Sequence, residues 1–208
     1  MGELLPFSRE PRPADTAAES GGALAVRSDE ELMALVRGGS KAAFRVLVVR
    51  HAAKVVSFCA RISGDRAAAR EIAQDVWLAV WDARARWEPR TRFASYLYTV
   101  AFSRARNHAR SRRRRAAVFS AAPLDADLVP TSSADEIERL LERERRNRLF
   151  EALRDLPDDL REAVVLRFVE ELSYEEMETV LRAKSSTLRS RVHHALARLK
   201  ARLGKEAP

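Results

Sequence analysis

The chain has a single cysteine, Cys59, so no internal disulfide framework can hold it together, and this fits a reducing compartment. Glycine is scarce, at 7 of 208 residues, and no stretch alternates β-branched with polar residues; the chain reads as all-α. No apolar run is long enough to span a bilayer, and the N-terminus lacks the basic stretch and apolar core of a secretory signal. The expected location is therefore the cytoplasm, without membrane insertion. A Gly-rich phosphate loop and a nucleophile constellation are both missing, so no catalytic residue is assigned and no cofactor is expected. His193-His194 has no Cys or acid at zinc-ligand spacing, and His51 and Cys59 read as packing residues, so no metal site is assigned. Charge, by contrast, is abundant: 33% of residues are ionic and the net charge is +8, which points to a polyanionic partner, nucleic acid or an anionic membrane surface.

Punctuation divides the chain. Residues 1–27 are rich in Pro, Ala, Glu and Gly without a period and read as a disordered tail. Ser28 and Glu31 have the spacing of a capping box, Leu32, Leu35 and Val36 give the helix that follows an apolar face, and Gly38-Gly39 stops it. Ser40 can cap a second helix, with Phe44, Leu47, Val48, Val55, Phe58 and Ile62 on one stripe, ending at Gly64. Asp65 can cap a third, with Ala69, Ile72, Val76, Ala79 and Val80 inward, and a fourth runs from about Ala94 into the arginine run at 110–115. These form one bundle over 28–115. Residues 116–135 carry Asp125, Asp127 and Asp135 and no Lys or Arg at all, which marks an acidic linker. A second helical unit spans 136–203, with Ser133 and Glu136 at capping-box spacing, Ile137, Leu140, Leu141, Leu149 and Leu153 on its first helix, and Leu160, Val164, Phe168 and Val169 on its second; 204–208 is a short tail.

Within the second unit, residues 173–199 read as a capped short helix, a break, and a basic helix, the outline of a helix-turn-helix. The stretch SSTLRSRVHHALARLKARL contains no acid, and Leu188, Val192, Ala195 and Leu199 form its apolar stripe. That stripe turns Arg189, Ser190, Arg191, His194 and Arg198 outward or to the flanks. In such a motif the second helix enters the major groove, where Arg pairs with guanine or phosphate and Ser hydroxyls fix phosphates. The bland reading is a basic surface helix kept charged for solubility.

The motifs go further than a lone helix-turn-helix. Leu156-Pro157, Leu166-Arg167-Phe168, the run from Leu172 to Glu176 and the run from Thr187 to Arg191 resemble the C-terminal promoter-binding region of the extracytoplasmic-function group of bacterial RNA polymerase sigma factors. Gln74-Asp75, Trp81, Phe93, Tyr96-Leu97 and the arginines of 110–115 resemble that group's polymerase-binding and minus-ten-reading region, so the resemblance covers about 28–115 and 137–203. It implies core RNA polymerase and promoter DNA as partners, an anti-sigma factor as restraint, and a free protein that is a monomer. By the same resemblance, Gln74, Asp75 and Leu78 would dock on polymerase. Thr187, Arg189, Ser190, Arg191, His194 and Arg198 would read the minus-thirty-five element. Trp87, Arg90, Arg92, Tyr96, Ser103, Arg106, Asn107 and Arg110 would meet the minus-ten element during strand opening, when a base leaves the stack and aromatic rings can receive it.

Composition supports that placement: from 84 to 115 there are eleven Arg against one acid, Glu88. Phe93 and Leu97 are expected in the core, as are Ile72, Val76 and Trp81. The linker admits two readings, an acidic peptide lying in the polymerase's RNA path or an ordinary tether. The sequence also departs from the group's pattern. Ser103 and Asn107 replace the usual Asn and Asp of the minus-ten helix, Glu178 stands where a small residue is usual, and Arg182 stands where the turn usually has Gly. Two other readings remain open at this point: a helix-turn-helix regulator that acts without polymerase, and a small basic RNA-processing enzyme or its adaptor, against which the lack of an acidic metal cluster counts.

Overall fold

The computed structural model describes residues 21–88, 92–116 and 136–204. Arg90, the linker and the Ser133 cap lie outside the described residues, as do the side chains of Ile137, Leu140 and Leu141. Among the described residues all regular structure is helical. The order is α1 (Gly21–Ala25), α2 (Asp29–Arg37), α3 (Lys41–Ser63), α4 (Ala69–Asp82), a 3-10 turn (Arg84–Arg86), α5 (Phe93–Ala116), α6 (Glu136–Arg154), α7 (Asp158–Phe168), α8 (Tyr174–Leu181) and α9 (Ser185–Leu203). No described helix is long and apolar enough to cross a membrane.

Helix starts follow their caps. The Ser28 hydroxyl accepts from Glu31 N while the Glu31 carboxylate accepts from Ser28 N, and Ser173 with Glu176 repeats the reciprocal pair. Ser40 Oγ accepts from Ala43 N at the start of α3, which ends at Gly64 in the left-handed region at φ 65°. Asp65 accepts from Ala68 N, so it caps the turn that leads into α4 rather than α4 itself, which begins four residues later. One expectation changes here: residues 21–25, read as part of a tail, form a short helix whose Leu24 is buried and whose Ala25 carbonyl accepts from Arg50.

The first unit packs α2 to α5 around Phe58, Phe93, Leu32, Met33, Leu47 and Leu97, all fully buried. In the second, α7 lies against α9 and α8, with Leu166, Leu172, Met177 and Leu188 buried between them. The buried apolar side chains form one continuous cluster through both units, because α5 packs on α8 and α3 on α6 and α7. Helix α7 is therefore buried along its whole length from Leu160 to Leu166, including Arg161 and Glu162. Its end emerges: Phe168 and Val169, expected inward, are exposed, as is Leu149 on α6. The reason is that the neighbouring helices cover α7 only from Leu160 to Leu166.

Candidate nucleic-acid interface

The basic helix α9 is held by its apolar stripe. Leu188, Val192, Ala195 and Leu199 are buried, which leaves Thr187, Arg189, Ser190, His194 and Arg198 exposed on the opposite side and Arg191 half-buried at the flank. Arg191 Nε lies 3.4 Å from Asp159 Oδ2 of α7, and the Arg189 guanidinium sits 5.0 Å from the centre of the Tyr174 ring. The turn before α9 contains Arg182 at φ 50°, ψ 45°, so a non-glycine residue takes the left-handed conformation that the glycine of such turns supplies. The turn geometry is thus kept despite the departure in sequence. The residue before α9, Lys184, makes no side-chain cap; Glu178 of α8 does so instead, accepting from Ser185 N at 2.5 Å and Ser185 Oγ at 2.6 Å. Those bonds, the hydroxyl's foremost, hold the Glu178 carboxyl below its ordinary range.

A second basic surface lies along α5. Ser103, Arg104, Asn107 and Arg110 are exposed and Arg106 is partly so. The N-terminus of α5 is capped from α2, where Glu30 Oε1 accepts from Phe93 N at 3.0 Å. Of the large apolar residues in this stretch, Phe93 and Leu97 are core, as expected. Trp87 requires correction. It is only 2% exposed, because the Arg84–Arg86 turn packs on α2 and α4 and leads into an extended Trp87 that turns inward. Tyr98 is buried too, its hydroxyl pushed up by burial, with Glu170 as hydrogen-bond partner. Tyr96 is half-buried, with its hydroxyl enclosed and unpartnered.

The two basic surfaces are not free of acids. Arg92 Nη1 is 2.7 Å from Glu176 Oε1, Arg106 Nε 3.7 Å from Glu162 Oε1, and both Nη atoms of Arg113 donate to Asp158 at 2.7 Å. In each pair the arginine belongs to the first unit and the acid to the second. Asp158 is held down to about 2, chiefly by Arg113, whereas burial pushes Glu162 upward. Carboxylates here occupy arginines of the kind that phosphate would otherwise bind.

A third surface is apolar. Gln74, Asp75 and Leu78 project from α4, and Leu78 is 62% exposed. Beside them an open groove between α3 and α4 is lined by Phe44, Val48, Trp77, Leu78 and Trp81, with Lys41 and Arg45 at its edge. Phe44 packs against Trp77 and Trp81 with ring centres 5.9 and 5.1 Å apart. Ile72 and Val76 face the core, as expected, whereas Trp81, expected there too, is only half-buried and lines the groove. Phe44, Val48 and Trp77 were not foreseen at this surface; the signal was the second apolar stripe made by Trp77 and Trp81 at i, i+4 opposite Phe44 and Val48 at the same spacing.

Comparison with known proteins places this arrangement. Residues 47–115 match the family model of Sigma-70 region 2, and residues 146–199 match that of Sigma-70, region 4. The RNA polymerase sigma-H factor of Pseudomonas aeruginosa is 30% identical over 177 residues, covering 83% of this chain and 92% of that one. The RNA polymerase sigma factor CarQ of Myxococcus xanthus is 36% identical over 169 residues, covering 81% and 93%. The sigma factor RpoE of Bartonella quintana, solved in complex with the anti-sigma factor NepR, shares the fold with a TM-score of 0.64 at 21% identity, over 79% of this chain and 98% of that one. The chain belongs to the RNA polymerase sigma factors, in the extracytoplasmic-function group.

Proposed function

We propose that this protein is an alternative sigma factor that binds core RNA polymerase and directs promoter-specific transcription initiation. The observation that carries the reading is the coexistence, in one chain, of the two basic helices α5 and α9 with the exposed apolar groove of α3 and α4. Duplex DNA accounts for the helices, and a protein partner accounts for the groove, since an exposed patch of large apolar side chains marks an interaction site.

In this reading Leu78, Gln74 and Asp75, with the groove beside them, dock on polymerase. Thr187, Arg189, Ser190, Arg191, His194 and Arg198 read the minus-thirty-five element. Arg90, Arg92, Ser103, Arg106, Asn107 and Arg110 hold the minus-ten element, with Tyr96 at its edge. Trp87 is not among them, because its burial makes it a support for the bundle. The protein acts in the cytoplasm as a monomer until it joins polymerase, has no catalytic chemistry of its own, and is restrained by an anti-sigma protein; the solved relative with its bound anti-sigma factor supports that last element.

A regulator acting on duplex DNA alone would use α9 and leave the groove idle. Capture of purified core polymerase by the full chain separates the two. Leu78→Asp, at an exposed position where folding is spared, is expected to abolish capture. Undiminished capture by that variant would remove the groove from the polymerase interface, and no capture by the wild type would favour the regulator.

A further inference from the structure

We infer that Glu178 positions the recognition helix and makes it selective, by holding a carboxylate at the α9 N-terminus where a DNA phosphate would otherwise be received. The inference rests on the reading of α9 as a DNA-reading helix. A helix N-terminus presents unpaired N–H groups and a positive dipole end, and it attracts phosphate or carboxylate alike. In α9 the residue at the cap position, Lys184, gives no side-chain hydrogen bond. Glu178 reaches across the turn from α8 to take its place, and one oxygen, Oε1, accepts both from Ser185 N and from Ser185 Oγ. The amide and hydroxyl best placed to grip a backbone phosphate are therefore already bound to an acid of the protein itself.

The neighbourhood has the same bias. Arg189, one turn further along α9, lies over Tyr174 and within the field of Glu175 and Glu178, so it is held close to α8. Phosphate contacts fix a protein on DNA without reading sequence, whereas base-edge contacts specify. An acid at this point repels the phosphate chain and leaves affinity to depend on side chains such as Arg189 and Arg191 reaching their bases. The same two hydrogen bonds tie α8 to the first turn of α9, which sets the angle between the helices.

The test uses the full chain assembled with core polymerase, and two duplexes: a promoter fragment recovered from a genomic library, and a scrambled duplex of equal length and base composition. Glu178→Gln keeps an acceptor for Ser185 but removes the charge. It is expected to bind the scrambled duplex roughly threefold to tenfold tighter, with a salt dependence steeper by about one released counterion, and to discriminate less well. Glu178→Ala, which also loses the cap, should lower promoter affinity, and Glu178→Gln should restore it. A Glu178→Gln protein with wild-type affinity and salt slope on both duplexes would reduce Glu178 to a simple cap and overturn the inference. Arg189→Ala serves as the reference: if it loses promoter binding while Glu178→Gln behaves as wild type, only the role of Glu178 fails. If Arg189→Ala binds the promoter as wild type does, the reading of α9 falls, and this inference with it.

Discussion

Arg161 should be the most sensitive charged position in the molecule, although no DNA or polymerase contact is assigned to it. Its side chain is 5% exposed and lies where two helices end. Nη1 donates to the carbonyls of Arg154 and Leu156, and Nη2 to the carbonyl of Ile62, all at 3.3 Å. Nη2 also meets Asp158 Oδ1 at 2.5 Å. α3 ends at Ser63 and α6 at Arg154, so the carbonyls of Ile62 and Arg154 are among those their helices leave unpaired. A single guanidinium thus closes the C-termini of one helix from each unit, with its charge at the negative end of both dipoles.

Arg161→Met preserves much of the volume and removes all four hydrogen bonds. Three long bonds from a charged donor count about 1 kcal/mol each, and the ion pair adds a similar amount. Relief of the buried Nε, which has no partner, returns roughly 1 kcal/mol, leaving a loss of about 3 kcal/mol. For a chain of this size that lowers the melting temperature by roughly 6–12 °C, readable by circular dichroism. Arg161→Lys keeps the charge but cannot span three carbonyls from one planar fork, and it should fall between the two. Because Ile62 lies in the first unit, small-angle scattering should also show the Arg161→Met protein more extended. A melting temperature within about 2 °C of wild type would refute the reasoning, since each kilocalorie should be worth at least that much.

The acids that bridge the units compete with DNA. Asp158→Asn, Glu162→Gln and Glu176→Gln together free Arg113, Arg106 and Arg92, and the free protein should bind duplex DNA about tenfold tighter at low salt; unchanged affinity in a mobility-shift titration would show that these pairs do not guard the basic surface. Asp158 also carries a pH signature: its folded value of about 2 lies below the ordinary 3.8, so its contribution is present above 3.8 and lost as pH falls through about 2. Acid titration of stability should therefore drop more steeply for wild type than for Asp158→Asn across that window, and parallel curves would contradict the assignment. Trp87→Ala should destabilise the bundle by about 3–5 kcal/mol in urea unfolding, as expected of a buried Trp; a stable Trp87→Ala protein that fails only in promoter opening would return Trp87 to the DNA surface.

Local rules carried far in this chain, and their failures share a cause. Ser28 with Glu31, Ser173 with Glu176, Ser40 and Gly64 all act within one turn of their own helix, so spacing alone identified them. The apolar stripe of α9 was legible for the same reason. Contacts between elements were not. A capping search looks to Lys184 at the start of α9, but the cap comes from Glu178, which meets Ser185 only after the turn is folded. Nothing local marks Arg161 and Glu162 for burial, since a charge on an amphipathic helix is ordinarily solvated; they are buried because the first unit covers the face that carries them. Trp87 sits among arginines in sequence, and only the fold of the turn before it decides that its ring points inward. The two basic surfaces were visible as composition, whereas their neutralisation by acids from the other unit depends on docking that no local pattern encodes.

Transcription by purified core polymerase on a genomic fragment library, with and without this protein, separates promoter-specific initiation from DNA binding that needs no polymerase. Discrete new start sites that appear with the wild-type chain, and disappear with Arg189→Ala and Arg191→Ala together, are the expected result. Identical transcripts in both reactions, with the protein still bound to duplex DNA, would contradict it and make α9 the helix of a regulator that works without polymerase.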